Sequence, residues 1–115
     1  MSLKKESEAD IQRACLQWLN LWGATAVRVN SAAMKIGDRY FSANNQPGCS
    51  DILACLPDGA FAAIEVKKSG GRLAAKQRSF LDAVVARNGL GLVVHSLTEL
   101  QQMLQLEGYD TEIRA

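Results

Sequence analysis

Two short apolar runs, Ile52 to Leu56 and Ala60 to Val66, constrain the fold of this chain more than any other stretch. Each is apolar at odd and even positions alike, the pattern of strands buried on both faces rather than of a half-solvated edge. Pro57-Asp58-Gly59 between them has the residue types of a tight hairpin turn. The core of the fold is therefore expected to be an antiparallel pair of central strands.

The flanking sequence supplies what covers them. Ser7 and Asp10 resemble a capping box, and Ile11, Cys15, Trp18 and Trp22 form one helical stripe that Gly23 ends. Thr25 to Val29 and Asp38 to Ser42 read as strands of a first hairpin, and 44–48 as a loop. After Ser69-Gly70-Gly71 a second helix carries Leu73, Phe80, Leu81 and Val84 on one side and closes at Asn88-Gly89. Leu90 to His95 is a further strand. Ser96 with Glu99 makes a second capping box for a helix that buries Leu100, Met103 and Leu104 and stops at Gly108. A helix between the fourth and fifth strands can act as a crossover, so the expectation is a mixed α/β sheet flanked by helices. Without an internal repeat or linker, residues 1–115 form one domain with its core at about 7–107.

Composition bounds the function. An apolar fraction of 48% supports one core without metal or disulfides. The three cysteines, Cys15, Cys49 and Cys55, lack zinc-site spacing and read as buried thiols in a reducing compartment. No apolar run reaches the roughly 20 residues of a membrane span, and no secretory signal is recognisable, so a soluble intracellular protein without membrane contact is expected. A net charge of +1 leaves polyanion binding to local clustering. Between Lys67 and Arg78 lie Lys67, Lys68, Arg72, Lys76 and Arg78 with no acid among them.

Centring the hairpin turn at Asp58 places Asp51 opposite Glu65. Facing side chains have Cβ atoms about 5 Å apart, where like charges repel by roughly 3 kcal/mol at an effective dielectric near 20. Lys67, two residues beyond Glu65, points to the same face and offsets one charge. A divalent cation such as Mg²⁺ or Mn²⁺ supplies the rest, since it is hard and prefers carboxylate and carbonyl oxygen. The ordinary alternative is a Glu65–lysine salt bridge with Asp51 capping a strand end. The joint spacing of Gly48-x-x-Asp51 and Glu65-Val66-Lys67 favours catalysis.

Other residues extend the candidate site. Gln77 falls on the inward stripe of its helix and needs a partner, as a satisfied core amide or beside a reacting phosphate. Glu8 is either a site residue or a helix-dipole acid. Lys68, Arg72 and Lys76, with the Gly70 and Gly71 amides, are candidates for backbone phosphate or plain solvated surface. Arg28, Asn30, Arg39 and Tyr40 suggest a DNA-facing surface on the first hairpin. His95 reads as structural, and Trp18 and Trp22 as core.

In Glu8-x-x-Ile11-Gln12, Arg28-x-Asn30-Ser31, Gly48-Cys49-Ser50-Asp51, Glu65-Val66-Lys67 and Gln77, the chain resembles the VRR-NUC family, the virus-type replication-repair branch of the PD-(D/E)xK nucleases. The likeness runs from about Glu8 to Leu104, with Ser50 where the superfamily name has proline. It implies a restriction-endonuclease-like core in αβββ(β)αβα order. It also implies a DNA endonuclease in which Asp51, Glu65 and the Val66 main-chain carbonyl hold Mg²⁺ or Mn²⁺, Lys67 assists the attacking water, and Glu8 completes the site. Similarity to Holliday junction resolvases implies branched DNA as substrate and a homodimer, in a phage or bacterial host cell, with no small-molecule cofactor. The other function open to the chain is a non-catalytic nucleic-acid-binding module on a nuclease-like fold.

Overall fold

A computed structural model describes residues 6–29, 33–42 and 46–114, with side chains of 33–35 and 40–42 outside that description. The elements run α1 (Glu8–Trp22), β1 (Thr25–Arg28), β2 (Ala33–Ile36), β3 (Arg39–Ser42), β4 (Ile52–Cys55), β5 (Phe61–Val66), α2 (Ala75–Ala86), β6 (Leu90–Val94) and α3 (Leu97–Leu106). Four strands form one sheet in the order β1-β4-β5-β6, so the two apolar runs are its central strands. β4 and β5 pair antiparallel in the expected register, with Ile52 opposite Ile64 and Cys55 opposite Phe61. Leu56 N–H donates to Ala60 O at 2.8 Å across the Pro57-Asp58-Gly59 turn, where Gly59 takes φ +90°. α2 crosses over to lay β6 parallel to β5, which gives the mixed sheet.

The two faces are unequal. Ile52, Ala54, Ala62, Ile64, Leu92 and Val94 point to the side packed by α1 and α3, where Ile11, Cys15, Leu19, Leu100 and Leu104 complete the main core. The opposite parity, carrying Ala63 and Glu65, faces α2. α2 sits so close to β6 that a Cβ on Gly91 would lie 2.9 Å from Leu81 O and 3.1 Å from Val85 Cγ2. A side chain there is excluded by the helix itself.

Local signals explain the ends of the helices. Ser7 Oγ accepts from Asp10 N–H at 3.1 Å and Asp10 returns the bond to Ser7 N–H, a closed capping box. Ser96 Oγ accepts from Glu99 N–H at 3.0 Å, yet the Glu99 carboxylate turns to His95 Nδ1 at 3.2 Å instead of closing the second box. Asn88, at φ +68°, supplies the left-handed residue after α2. Trp22 stacks on Trp18 at 5.0 Å and donates its indole N–H to Asp110 O at 2.8 Å.

Three further expectations change. Five strands rather than four precede α2, because Ala33–Ile36 also pairs; its Ala, Met and Lys carry little β signal. That strand takes β3 as its partner in a separate two-stranded ribbon, while β1 pairs with β4, so the expected first hairpin of β1 with β3 does not form. Of the cysteines only Cys15 is buried; Cys49 is half-buried and Cys55 is exposed, since its parity turns it away from the main core at the strand end.

Replacing Gly91 with valine would drive α2 away from β6. The expected loss is about 1–3 kcal/mol of unfolding free energy, read by urea denaturation with an unchanged m value; an unaltered midpoint would contradict the close approach.

Candidate active site

Asp51 lies one residue before β4 and continues the hairpin register to face Glu65. Its position is fixed from two sides. Asp51 O accepts from Val29 N–H at 2.8 Å, and Asp51 Oδ2 accepts from Val66 N–H at 2.8 Å. The loop that delivers it needs Gly48, which takes φ +72° and passes so close to α2 that an added Cβ would lie 2.1 Å from Lys76 O. That contact gives the Gly48-x-x-Asp51 spacing its physical reason. Ser50 beside it is fully buried and its Oγ has no partner.

Glu65 is only 2% exposed. Its Oε1 accepts from Gln77 Nε2 at 3.0 Å, whereas Oε2 is buried with no hydrogen bond. The orientation of the Gln77 amide is not in question, because its Oε1 accepts from Ala74 N–H at 2.8 Å, and a backbone amide can only donate. One glutamine thus caps α2, where Ala74 offers no side-chain acceptor, and holds one oxygen of Glu65 in place. Burial, then the charge of Asp51, pushes the Glu65 carboxyl up to about 8, against a smaller opposite pull from Lys67. The same two carboxylates, after burial, raise the Cys49 thiol.

Lys67 continues the strand, its N–H donating to Val94 O at 2.9 Å. Among the described residues no ion pair within 4.0 Å joins its ammonium to an acid, so the plain Glu65–lysine salt bridge is not formed. Glu8 reaches across from α1, with Oε2 accepting from Lys68 N–H at 3.2 Å, and its charge is felt at Glu65. It does not join the other two as a metal cluster: among the described residues no group of three His, Cys, Asp or Glu side chains is placed to hold an ion. The donors gathered here are two carboxylates, of which Glu65 keeps an unpartnered oxygen. That suits a hard cation retaining waters as its other ligands.

Of the remaining candidates, Lys68, Arg72 and Lys76 are exposed on the segment from β5 into α2, and Lys68 lines a pocket with Glu6, Ile11 and His95. Gly71 N–H is already engaged by Lys68 O at 2.9 Å, which removes it as a phosphate donor. Arg28 and Arg39 are exposed but belong to different sheets, so they do not make one hairpin surface. Asn30 and the Tyr40 side chain lie outside the described residues. His95 pairs with Glu99 as a structural residue. Two concavities do not include Asp51 or Glu65 in their lining; they lie near Trp22 and Tyr109, and between Phe61 and α2.

The model of the VRR-NUC domain family matches residues 5–97. The chain belongs to that family. Its members form a nuclease-type family, generally dependent on divalent metal. Two solved structures share the fold. One, a VRR_NUC domain, is 19% identical with a TM-score of 0.62, covering 90% of this chain and 97% of its own. The other, a VRR_NUC domain protein, is 16% identical with a TM-score of 0.58, covering 96% and 98%. Among curated proteins none matches the sequence.

The electrostatics of this VRR-NUC site fix a sign. Between about pH 5 and 8 an unfolded Glu65 loses its proton while the folded one keeps it. The native state then binds more protons, and stability falls as pH rises through that window. Differential scanning calorimetry in EDTA should show Tm declining from pH 5 to 8. Glu65→Gln should flatten the decline and raise Tm by several degrees at pH 8. A wild-type Tm that climbs over that window would show that Glu65 is not held against ionisation.

Proposed function

We propose that this chain is a divalent-metal-dependent DNA endonuclease that hydrolyses phosphodiester bonds at Asp51, Glu65 and Lys67. The observation that carries the reading is the unpartnered oxygen of buried Glu65. A fold that only needed a core has no use for a buried carboxylate facing a second acid, with an unpaired ammonium two residues away.

In this reading Asp51, Glu65 and the Val66 carbonyl hold Mg²⁺ or Mn²⁺, which when bound polarises the phosphate and lowers the pKa of water. The protein's own residues do the positioning. Val66 N–H fixes Asp51, and Gln77 fixes Glu65 while leaving its second oxygen available. Lys67 orients the attacking water from the same strand face. Water adds to phosphorus, the bond to the leaving oxygen breaks, and that oxygen takes up a proton. Glu8 steadies the entrance of the site through Lys68 N–H. The exposed Lys68, Arg72 and Lys76 then meet backbone phosphates, with Arg28 and Arg39 contributing from the far strands. The proposal includes branched DNA as the preferred substrate, a symmetric dimer as the working form, and a phage or bacterial cell as the setting. The described residues contain no helix long and apolar enough to cross a membrane.

Cleavage of linear, flapped and four-way DNA in Mg²⁺, compared with EDTA, tests this directly. Asp51→Ala should lower the rate at least about 100-fold, and Gln77→Leu about 10- to 100-fold, as expected for a residue that orients a ligand. Cutting that survives EDTA or Asp51→Ala rejects the mechanism. Salt-dependent binding without scission would instead support a non-catalytic DNA-binding module.

A further inference from the structure

One cavity of about 530 Å³ lies between the first residue of β5 and the outer half of α2, bounded by Phe61, Phe80, Ala83, Val84, Arg87 and Gln46. Phe61 is 45% exposed, a large apolar ring left open. Strand parity puts Phe61 on the same face as Ala63 and Glu65, so the cavity and the carboxylates share one surface of the sheet. All three elements that build the active site continue into it. β5 runs from Phe61 to Glu65, about 13 Å at 3.3 Å per residue. α2 runs from Gln77 to Val84, about 10 Å at 1.5 Å per residue. Gln46, in the loop that leads to Asp51, also lines the cavity.

We propose that this cavity receives an unstacked base of the same DNA strand whose phosphate lies at Asp51 and Glu65. The inference rests on the nuclease reading and specifies which DNA it acts on. Two phenyl rings line the cavity and suit the stacking of any base, with Asn88 among the other lining residues. Arg87 donates to Ala83 O at 3.0 Å from one guanidinium nitrogen, which anchors it at the rim with the rest of the group exposed. A separation of 10–13 Å corresponds to roughly three nucleotides at the 3.4 Å per-strand rise of duplex DNA. A base within that distance of the cut must leave its helix to enter the cavity. The site therefore favours strands already unpaired beside the scissile bond, such as those at a branch or gap.

The test uses the full chain in EDTA, so that DNA binds without being cut. A gapped duplex carries 5-iodouracil at each of the four positions on either side of the scissile bond, and cross-links are mapped by mass spectrometry. A cross-link to Phe61 or Phe80 is expected. In parallel, affinity is compared for an unpaired base and for an abasic residue at the cross-linking position. The base should bind about tenfold more tightly. That ratio should fall towards one in Phe61→Ala and in Ala83→Trp, which fills the cavity, with Tm recorded for both. Cross-links only to other residues, or a ratio unchanged in both variants, overturn the proposal. So does an Ala83→Trp protein that changes oligomeric mass while keeping the ratio, since the cavity would then be a protein contact. Metal-dependent cutting without the base preference removes only this inference, whereas a protein that neither binds nor cuts DNA removes the nuclease reading as well.

Discussion

The close approach of Asp51 and Glu65 on one face of the sheet is the interaction on which the rest of the structure depends. Two acids at that separation oppose each other and the burial of Glu65 makes the opposition worse, which is why its carboxyl is pushed up to about 8. The fold tolerates this because it meets most of the polar demand with hydrogen bonds. Val66 N–H takes one oxygen of Asp51 and Gln77 takes one of Glu65. Among the described residues, Glu65 Oε2 and the neighbouring Ser50 Oγ are left buried without a hydrogen bond.

Several parts of the chain serve that arrangement from a distance. The hairpin turn at Pro57-Asp58-Gly59 sets the register that makes the two acids face each other. α2 is pinned to the sheet by the absence of a side chain at Gly91, and its first turn brings Gln77 over Glu65. Gly48 lets the preceding loop slip under Lys76 O and reach the start of β4. α1 and α3 fill the other face and leave the α2 side free for polar work. The C-terminal segment ties the far end together, with Tyr109 donating its hydroxyl to Asp58 beside the turn. The larger core lies on one face of the sheet, and the facing acids lie on the other.

Charge is distributed with the same logic. The net charge of +1 conceals a basic stretch entering α2 and acids gathered towards the C-terminal end. Lys67 remains unpaired among the described residues, although two acids lie close by in the fold. A lysine locked into an ion pair would have to be freed before it could act on a water or a phosphate.

By itself the sequence determined the central hairpin, its register, which sets Asp51 against Glu65, and the crossover helix. These follow from alternation, turn chemistry and helical spacing, which act over a few residues and leave direct traces in residue type. It also marked Gln77 as an inward amide in need of a partner. Tertiary structure alone decided that the partner is Glu65, that β1 pairs with β4 rather than with β3, and that Gly71 N–H is engaged. It likewise showed that Cys55 is exposed and that Glu8 stands apart from a three-acid cluster. Each of these depends on which surfaces meet across the molecule, and a strand of four ordinary residues carries no mark of its partner. The reason Gly48 and Gly91 must lack side chains is of the same kind, because the atoms that exclude a Cβ come from α2, far along the chain.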